Sequence, residues 1–380
     1  MQSAICELLN IEFPLVAFSH CRDVVVEVSK AGGMGVLGAV GLSAAELETE
    51  LAWIDENING KPYGVDLLIP NAMIGKGEQP SRAETLQQVP AEHKQFTRAI
   101  LESHGIVDGD VSDDKRAAMA RFGENMREEG ARKLLDVAFA HPIGLIANAL
   151  GVPPPYLLEW GKSHGVPVAA LVGAKEHAVR QVAAGVDILV VAGGEAGGHC
   201  GDVSTLVLVP EVYEAIKSFS EVPILAAGGI VTGQQMAACM AMGAAGVWTG
   251  SVWLTTAEAE TSPVVKEKML AASSRETVRS KARTGKYSRQ LRSAWTDAWE
   301  HADAPEPLPM PLQSIVTEPV LAKVEKLAEG GHEGAKQLAT YWVGQGVGMM
   351  NATLSVRVVV ENFMEEFLGA QARLQSFLDD

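Results

Sequence analysis

The sequence predicts an α/β protein built as a closed (β/α)8 (TIM) barrel, and three observations carry that expectation. Short apolar, β-branched runs recur along the chain, most of them followed by a glycine or a turn. They lack polar alternation, which is the pattern of strands buried on both faces of a parallel sheet. Helix-like segments alternate with them, and 380 residues leave room for a barrel of about 250 residues with additions. An open doubly wound sheet is the competing arrangement.

The runs are Pro14–Phe18, Gly35–Leu37, Gly64–Leu68, Ile143–Ala147, Val168–Val172, Ile188–Val191, Ile224–Ala226 and Gly246–Thr249. After the fifth, Lys175–Ala184 places its apolar residues on one face and Gly185 ends it as a C-cap would. After the seventh, Thr232–Met242 repeats the arrangement and Gly243 stops it. Two β-α-β units in succession favour a parallel sheet. Residues 71–140 are too long and too charged for one connection, and read as a mostly helical insertion near the active-site mouth, where loops after strands open. A proline-rich stretch (Pro305, Pro307, Pro309, Pro311) leads to helices around Val316–Ala328, Ala335–Trp342 and Ser355–Leu378. The division is therefore a barrel of residues 1–70 and 141–312, an insertion at 71–140, and C-terminal helices at 313–380. Those helices would pack on the barrel or support a homo-oligomer.

Composition narrows the function. With 47% hydrophobic and 21% charged residues the chain is globular, which excludes disorder, collagen and coiled coil as its main architecture. A net charge of −16 disfavours nucleic acid or an anionic membrane as partner. Cys6, Cys21, Cys200 and Cys239 form no C-x-x-C pair and read as free thiols in a reducing compartment. No basic leader or membrane-length apolar run is evident, so the expectation is a cytoplasmic protein with a small-molecule substrate.

Three glycine clusters lie just past proposed strand ends, where a barrel keeps its active site. They are Gly193-Gly194-Glu195-Ala196-Gly197-Gly198-His199-Cys200-Gly201, Gly228-Gly229 and Trp248-Thr249-Gly250-Ser251. Glycine lets backbone N–H groups approach a ligand, so the second and third clusters predict a phosphate site. Neither is a Walker A loop, and no G-x-G-x-x-G follows the first strand. His199 is the histidine inside a glycine-rich loop at a strand end, suited to general acid–base chemistry; the alternative is a loop-capping role. His20 follows the first strand and could line the same mouth. Glu195 could orient His199, bind backbone amides or form a loop salt bridge. The basic run Arg275–Arg292 could collect around an anionic substrate or form a solvated helix face.

Four motifs then occur in one order: Ala31-Gly32-Gly33-Met34-Gly35, Glu195-Ala196-Gly197-Gly198-His199, Val222-Pro223-Ile224-Leu225-Ala226-Ala227-Gly228-Gly229-Ile230 and Gly243-Ala244-Ala245-Gly246-Val247. In this order the chain resembles the nitronate monooxygenases, formerly 2-nitropropane dioxygenases, which are related to flavin-dependent enoyl-acyl-carrier-protein reductases. The resemblance runs from about Pro14 to Gln313, with an echo at Gly344-Gln345-Gly346. It implies a flavoprotein oxidoreductase that holds FMN in a (β/α)8 barrel. It places Gly228, Gly229, Thr249, Gly250 and Ser251 at the FMN phosphate, and Ala17, Phe18, Ser19 and Ala196 against the flavin ring or ribityl chain. Asp66, Gly198, Gly201 and Trp248 complete the cofactor-binding set, and His199 is implied as the catalytic acid or base. No metal site is expected. The implied reaction is oxidation of alkyl nitronates with O2 through one-electron flavin chemistry.

Three positions depart from the family pattern. Ala17-Phe18-Ser19-His20 replaces the usual Pro and Met after the first strand, Asp66 replaces a common Asn, and Ala192 replaces a Gln. The competing functions on the same scaffold are an FMN-dependent reductase or dehydrogenase of an acyl thioester and an NAD(P)H:quinone reductase. A flavin-binding protein without turnover is a fourth reading, which His199 argues against.

Overall fold

Eight parallel strands close into a barrel in the computed structural model, which describes residues 1–69, 88–107, 125 and 128–378. In chain order these are β1 (Leu15–Ser19), β2 (Met34–Gly38), β3 (Tyr63–Leu67), β4 (Leu145–Asn148), β5 (Val168–Val172) and β6 (Ile188–Ala192). A two-residue strand, β7 (Gly198–His199), stands outside the barrel, and β8 (Ile224–Ala227) and β9 (Gly246–Thr249) complete it. Closure is made by β9 pairing with β1, Ala17 opposite Thr249. The expected strands are therefore present, each within two residues of the sequence reading at either end.

Continuous apolar strands serve both faces. Val16, Met34, Val36, Leu145, Ala147, Ala169, Ile188, Val190, Leu225, Ala227 and Trp248 fill the lumen as one buried cluster, with Phe18 packed against it. Their neighbours along each strand, among them Ala17, Val65, Leu67, Val191, Ala226 and Val247, face the surrounding helices instead. Helices Lys175–Ala184 and Gly233–Ala241 form as expected, the first ended by Gly185 in the left-handed region. The helix Gly233–Ala241 is started by a capping box between Thr232 and Gln235.

Within 71–140, the described helices are Ala91–Ser103 and Glu128–Ala140, and the rest of the expected insertion lies outside the described residues apart from Gln88–Pro90, His104–Val107 and Asn125. Glu128–Ala140 packs Ala131, Leu134, Leu135 and Ala138 onto the outer wall beside Val65 and Ile146. It thus lies on the barrel wall, immediately before β4 in sequence, and away from the lumen.

The basic run departs from a helix reading. It forms a hairpin of β10 (Thr277–Ser280) and β11 (Ser288–Leu291), followed by the short helix Ala294–Trp299. β11 also pairs with β7, so the loop after β6 becomes the edge of a three-stranded antiparallel sheet. The C-terminal helices are Leu312–Glu329, Glu333–Leu338 and Val356–Gln375. The last lies on Gly233–Ala241, where a Cβ on Gly233 would collide with the Phe363 carbonyl, so glycine sets how closely the two helices approach. All four cysteines are free. Among the described residues no helix is long and apolar enough to cross a membrane.

Candidate active site

The three glycine clusters converge at the carboxyl end of the barrel. Gly193 donates its N–H to the Ala227 carbonyl at 3.1 Å, joining the first cluster to the second. Gly228 and Gly229 both have positive φ, 105° and 68°, a region that glycine enters without a Cβ penalty. Here close approach reinforces conformation: a Cβ on Gly228 would lie 2.7 Å from Thr205 Oγ1, and one on Gly229 would lie 2.8 Å from Glu195 Cβ. The C-terminal segment enters as well, because Gly344 donates to Ser251 Oγ at 2.9 Å and Gln345 to the Glu195 carbonyl at 2.9 Å. The Gly344-Gln345-Gly346 echo thereby finds a place beside the second and third clusters.

Within this cradle the N–H groups of Gly228, Gly229, Gly250 and Ser251 donate to no protein acceptor among the described residues. Adjacent unspent amides form an anion-binding concavity. The following helix contributes less than helix N-termini often do. Gln235 Oε1 accepts from Val231 and Thr232, and Glu366 Oε2 accepts from Gly233 N at 2.8 Å. Two side chains have already filled that N-terminus, so an anion would meet the glycine amides.

The lumen beneath is aromatic and apolar. Phe18 and Trp248 stack at 6.4 Å between centroids, 26° apart, and Phe18 meets the His20 ring edge-on at 5.1 Å. His20 Nδ1 bonds the Gly38 carbonyl at 2.7 Å. Ser19 Oγ accepts the Cys21 N–H and keeps its own hydrogen to donate. Ala17 and Thr249 turn their side chains outward; Thr249 Oγ1 donates to the Val16 carbonyl and accepts from Trp253 Nε1 at 3.0 Å. Of these two, only the backbone can face a ligand.

Asp66 lies in the same strand phase as the luminal residues, being paired with Gly38 and Ala147, and is 2% exposed. Burial pushes its carboxyl up to about 8, with no cation offsetting it among the described residues, so at neutral pH it is protonated and can donate a hydrogen bond.

His199 keeps an open face to solvent although its loop is closely packed, and Nε2 lies 2.8 Å from Thr284 Oγ1. Thr284 Oγ1 also donates to the Lys286 carbonyl and accepts the Lys286 N–H. A hydroxyl has one hydrogen, so with that hydrogen on Lys286 it accepts from His199 Nε2–H. This assignment leaves Nδ1 as the bare, basic nitrogen. Desolvation first, then the charges of Lys286 and Arg283, hold the ring below the usual histidine range. His199 is therefore neutral at pH 7.

Glu195 does not orient His199. Its carboxylate accepts from Thr205 N and Oγ1 at 2.8 and 3.0 Å, binding the start of helix Thr205–Ile216. Ala196 and Gly201 lie partly buried in the same loop, and Gly198 is in the left-handed region with open space where a Cβ would point. Sequence reasoning did not single out Thr205 and Thr284, since each is an isolated threonine whose partner comes from a distant segment. Nor did it foresee that Arg289 holds the loop, with Nε and Nη2 on the Gly194 carbonyl at 3.0 and 2.8 Å.

The nitronate monooxygenase family model matches residues 2–366. The chain belongs to that family. It is accordingly an oxidoreductase enzyme. A Mycobacterium tuberculosis protein provisionally named a monooxygenase is 51% identical over 380 residues, covering the whole of both chains. A Staphylococcus saprophyticus protein provisionally named a nitronate monooxygenase is 26% identical over 96% of this chain and 98% of its own. Among solved structures, nitroalkane oxidase from Streptomyces ansochromogenes superposes with a TM-score of 0.78 at 24% identity, covering 98% of this chain and 100% of that one. FabK from Thermotoga maritima gives 0.69 at 24% identity over 99% of each. At that identity the two structures share the barrel fold.

Proposed function

We propose that this nitronate monooxygenase family member binds FMN at the carboxyl end of the barrel and oxidises alkyl nitronates with O2, with His199 as general base toward neutral nitroalkanes. The observation that carries the reading is the convergence of unspent amides at Gly228, Gly229, Gly250 and Ser251 beside an aromatic lumen that ends in Phe18 and Trp248. A phosphate needs the amides, and a flat apolar ring needs the lumen, so the residues present fit FMN. When bound, FMN would supply the one-electron oxidation that nitronate and O2 cannot carry out efficiently on their own.

The chain's own residues bind, orient and move a proton. The glycine amides would hold the phosphate without a charged side chain. Protonated Asp66 would offer a hydrogen bond at the position where the family pattern has Asn. His199 Nδ1 would accept the proton from the carbon next to the nitro group, and Thr284 would hold Nε2–H so that the basic nitrogen stays free. A neutral imidazole suits this task, because a protonated one has no lone pair to use.

The test is the visible spectrum of the purified protein, then anaerobic titration with a nitronate, NADH and NADPH. Bleaching by the nitronate alone is the expected result. Bleaching by a nicotinamide would replace the monooxygenase reading with a reductase. Failure to take up flavin after reconstitution with FMN would overturn the cofactor reading.

A further inference from the structure

His20 stands at the barrel mouth with a fixed tautomer and an uncommitted nitrogen. Its Nδ1 lies 2.7 Å from the Gly38 carbonyl, which can only accept, so Nδ1 carries the hydrogen and Nε2 keeps its lone pair. Nε2 has no hydrogen-bond partner among the described residues. The side chain is exposed, yet protein atoms crowd the ring closely enough that desolvation, outweighing the Gly38 bond, holds it below the usual histidine range. His20 is therefore neutral at pH 7, and its bare nitrogen is an acceptor.

Neighbouring residues hold the ring in this place. A Cβ on Gly38 would lie 2.7 Å from Cε1 and Nδ1 of His20 and equally close to Cζ of Phe18, so only glycine leaves room for the ring against β2. Phe18 meets that ring edge-on, which fixes its tilt. Ser19 pairs with Leu37 and Gly38 with Asp66, so His20, one residue past β1, shares a layer with Gly38 and Asp66. That layer lies above the apolar luminal cluster of Val16, Val36 and Leu145. β6, whose following loop carries His199, is separated from β1 round the closed barrel by β8 and β9. A substrate bound at the mouth thus meets the proposed base on one side and the His20 acceptor on another.

We infer that His20 Nε2 selects nitronates whose alkyl chain carries an uncharged hydrogen-bond donor, a hydroxyl group above all. Charge of either sign is disfavoured there. An ammonium group would need an ionised carboxylate, and the carboxyl in this layer, Asp66, is held protonated by burial. A carboxylate tail would need a cation, and His20 is neutral. A plain alkyl chain would strip water from Nε2 and leave it without a partner, a cost that a hydroxyl avoids. The hydroxyl binds and orients the substrate, and no proton passes to His20. This inference rests on the proposed nitronate reaction for the identity of the substrate's other end.

The experiment compares matched pairs in which a hydroxyl replaces a methyl: the nitronates of 2-nitroethanol and 1-nitropropane, and those of 3-nitropropan-1-ol and 1-nitrobutane. Preformed nitronates are given to the FMN-reconstituted protein, so proton abstraction by His199 does not enter. The expected result is a kcat/KM about tenfold or more higher for the hydroxyl member of at least one pair, carried mainly by KM. His20→Asn keeps an amide N–H for the Gly38 carbonyl and deletes the acceptor, so the ratio should fall to about one while flavin uptake stays constant. Calorimetric titration with 4-hydroxybutanoate and pentanoate, unreactive mimics whose carboxylate stands in for the nitronate, reads the same preference without turnover. A hydroxyl preference in the calorimeter with no nitronate oxidation would count against the proposed reaction and keep the subsite. Oxidation of both members at equal kcat/KM, with equal affinities for the two mimics, would overturn the subsite alone. So would a stronger preference for an aminoalkyl or carboxyalkyl nitronate, or a preference that survives His20→Asn. Neither binding nor oxidation of any member would overturn both.

Discussion

Asp66→Asn exchanges a carboxyl that burial has pushed up to about 8 for an amide of nearly the same shape. In the unfolded chain that carboxyl titrates near its ordinary 3.8, and in the fold it holds its proton until about 8. Between those values the folded state binds one more proton than the unfolded state, so stability falls as pH rises, by about 1.4 kcal/mol per unit. From pH 5 to pH 8 the native protein should thus lose about 4 kcal/mol relative to Asp66→Asn, which has no proton to hold. Above about pH 8 the two curves should run parallel. Comparing slopes removes the constant difference that the new amide introduces. The assay is thermal and urea unfolding of the flavin-free chain in a series of buffers, both proteins side by side. For a chain of this size the relative loss amounts to several degrees of Tm. Curves that stay parallel from pH 5 to pH 8 would refute the reasoning, because they would mean that Asp66 is ionised in the folded lumen.

The other predictions follow from single contacts. His199→Ala should retain flavin, slow turnover of neutral nitroalkanes and spare preformed nitronates; in the native enzyme, kcat/KM for the neutral substrate should decline only below the ordinary histidine range, because His199 is held below it. Thr284→Val removes the acceptor of Nε2–H, so the acidic limb of that pH profile should move while flavin content stays constant. Gly228→Ala forces a Cβ to 2.7 Å from Thr205 Oγ1 at φ 105°; flavin absorbance per protein should drop sharply, with a stability loss of about 2 kcal/mol. Glu318→Gln leaves the Arg283 guanidinium, 8% exposed and lying 3.8 Å over the Trp342 ring, without its carboxylate; urea unfolding should show a loss of about 3 kcal/mol.

Much of this protein was legible in order along the chain. The strands Val168–Val172 and Gly246–Thr249 were marked by their apolar runs, and Gly185 marked the end of a helix, because local periodicity and conformational freedom act over a few residues. The glycine clusters were likewise visible, since a parallel barrel puts every strand's carboxyl end on one face whatever the connections do. The hairpin Thr277–Leu291 was not legible. Its β10 and β11 carry Arg, Ser and Gln in place of an apolar pattern, and they are held as strands by pairing with β7 in a segment far away in sequence.

The candidate site divides along the same line. The sequence by itself determined the eight strands and their alternation with helices, the positions of Gly228, Gly229 and Gly250, and the placing of His199 in a glycine-rich loop, because apolar runs and backbone freedom need no distant partner, whereas closure into a barrel came from the pairing of β9 with β1. Only the tertiary structure decided which groups are already spoken for. Glu195 caps a helix at Thr205, Glu366 fills the N-terminus at Gly233, and Arg283 is matched by Glu318. It likewise settled that Asp66 is buried among luminal apolar residues, which sets its protonation, and that Arg279 stands opposite Arg289. Charge state and hydrogen-bond occupancy depend on what lies within a few ångströms in space, and in a closed barrel those neighbours come from segments tens to hundreds of residues apart.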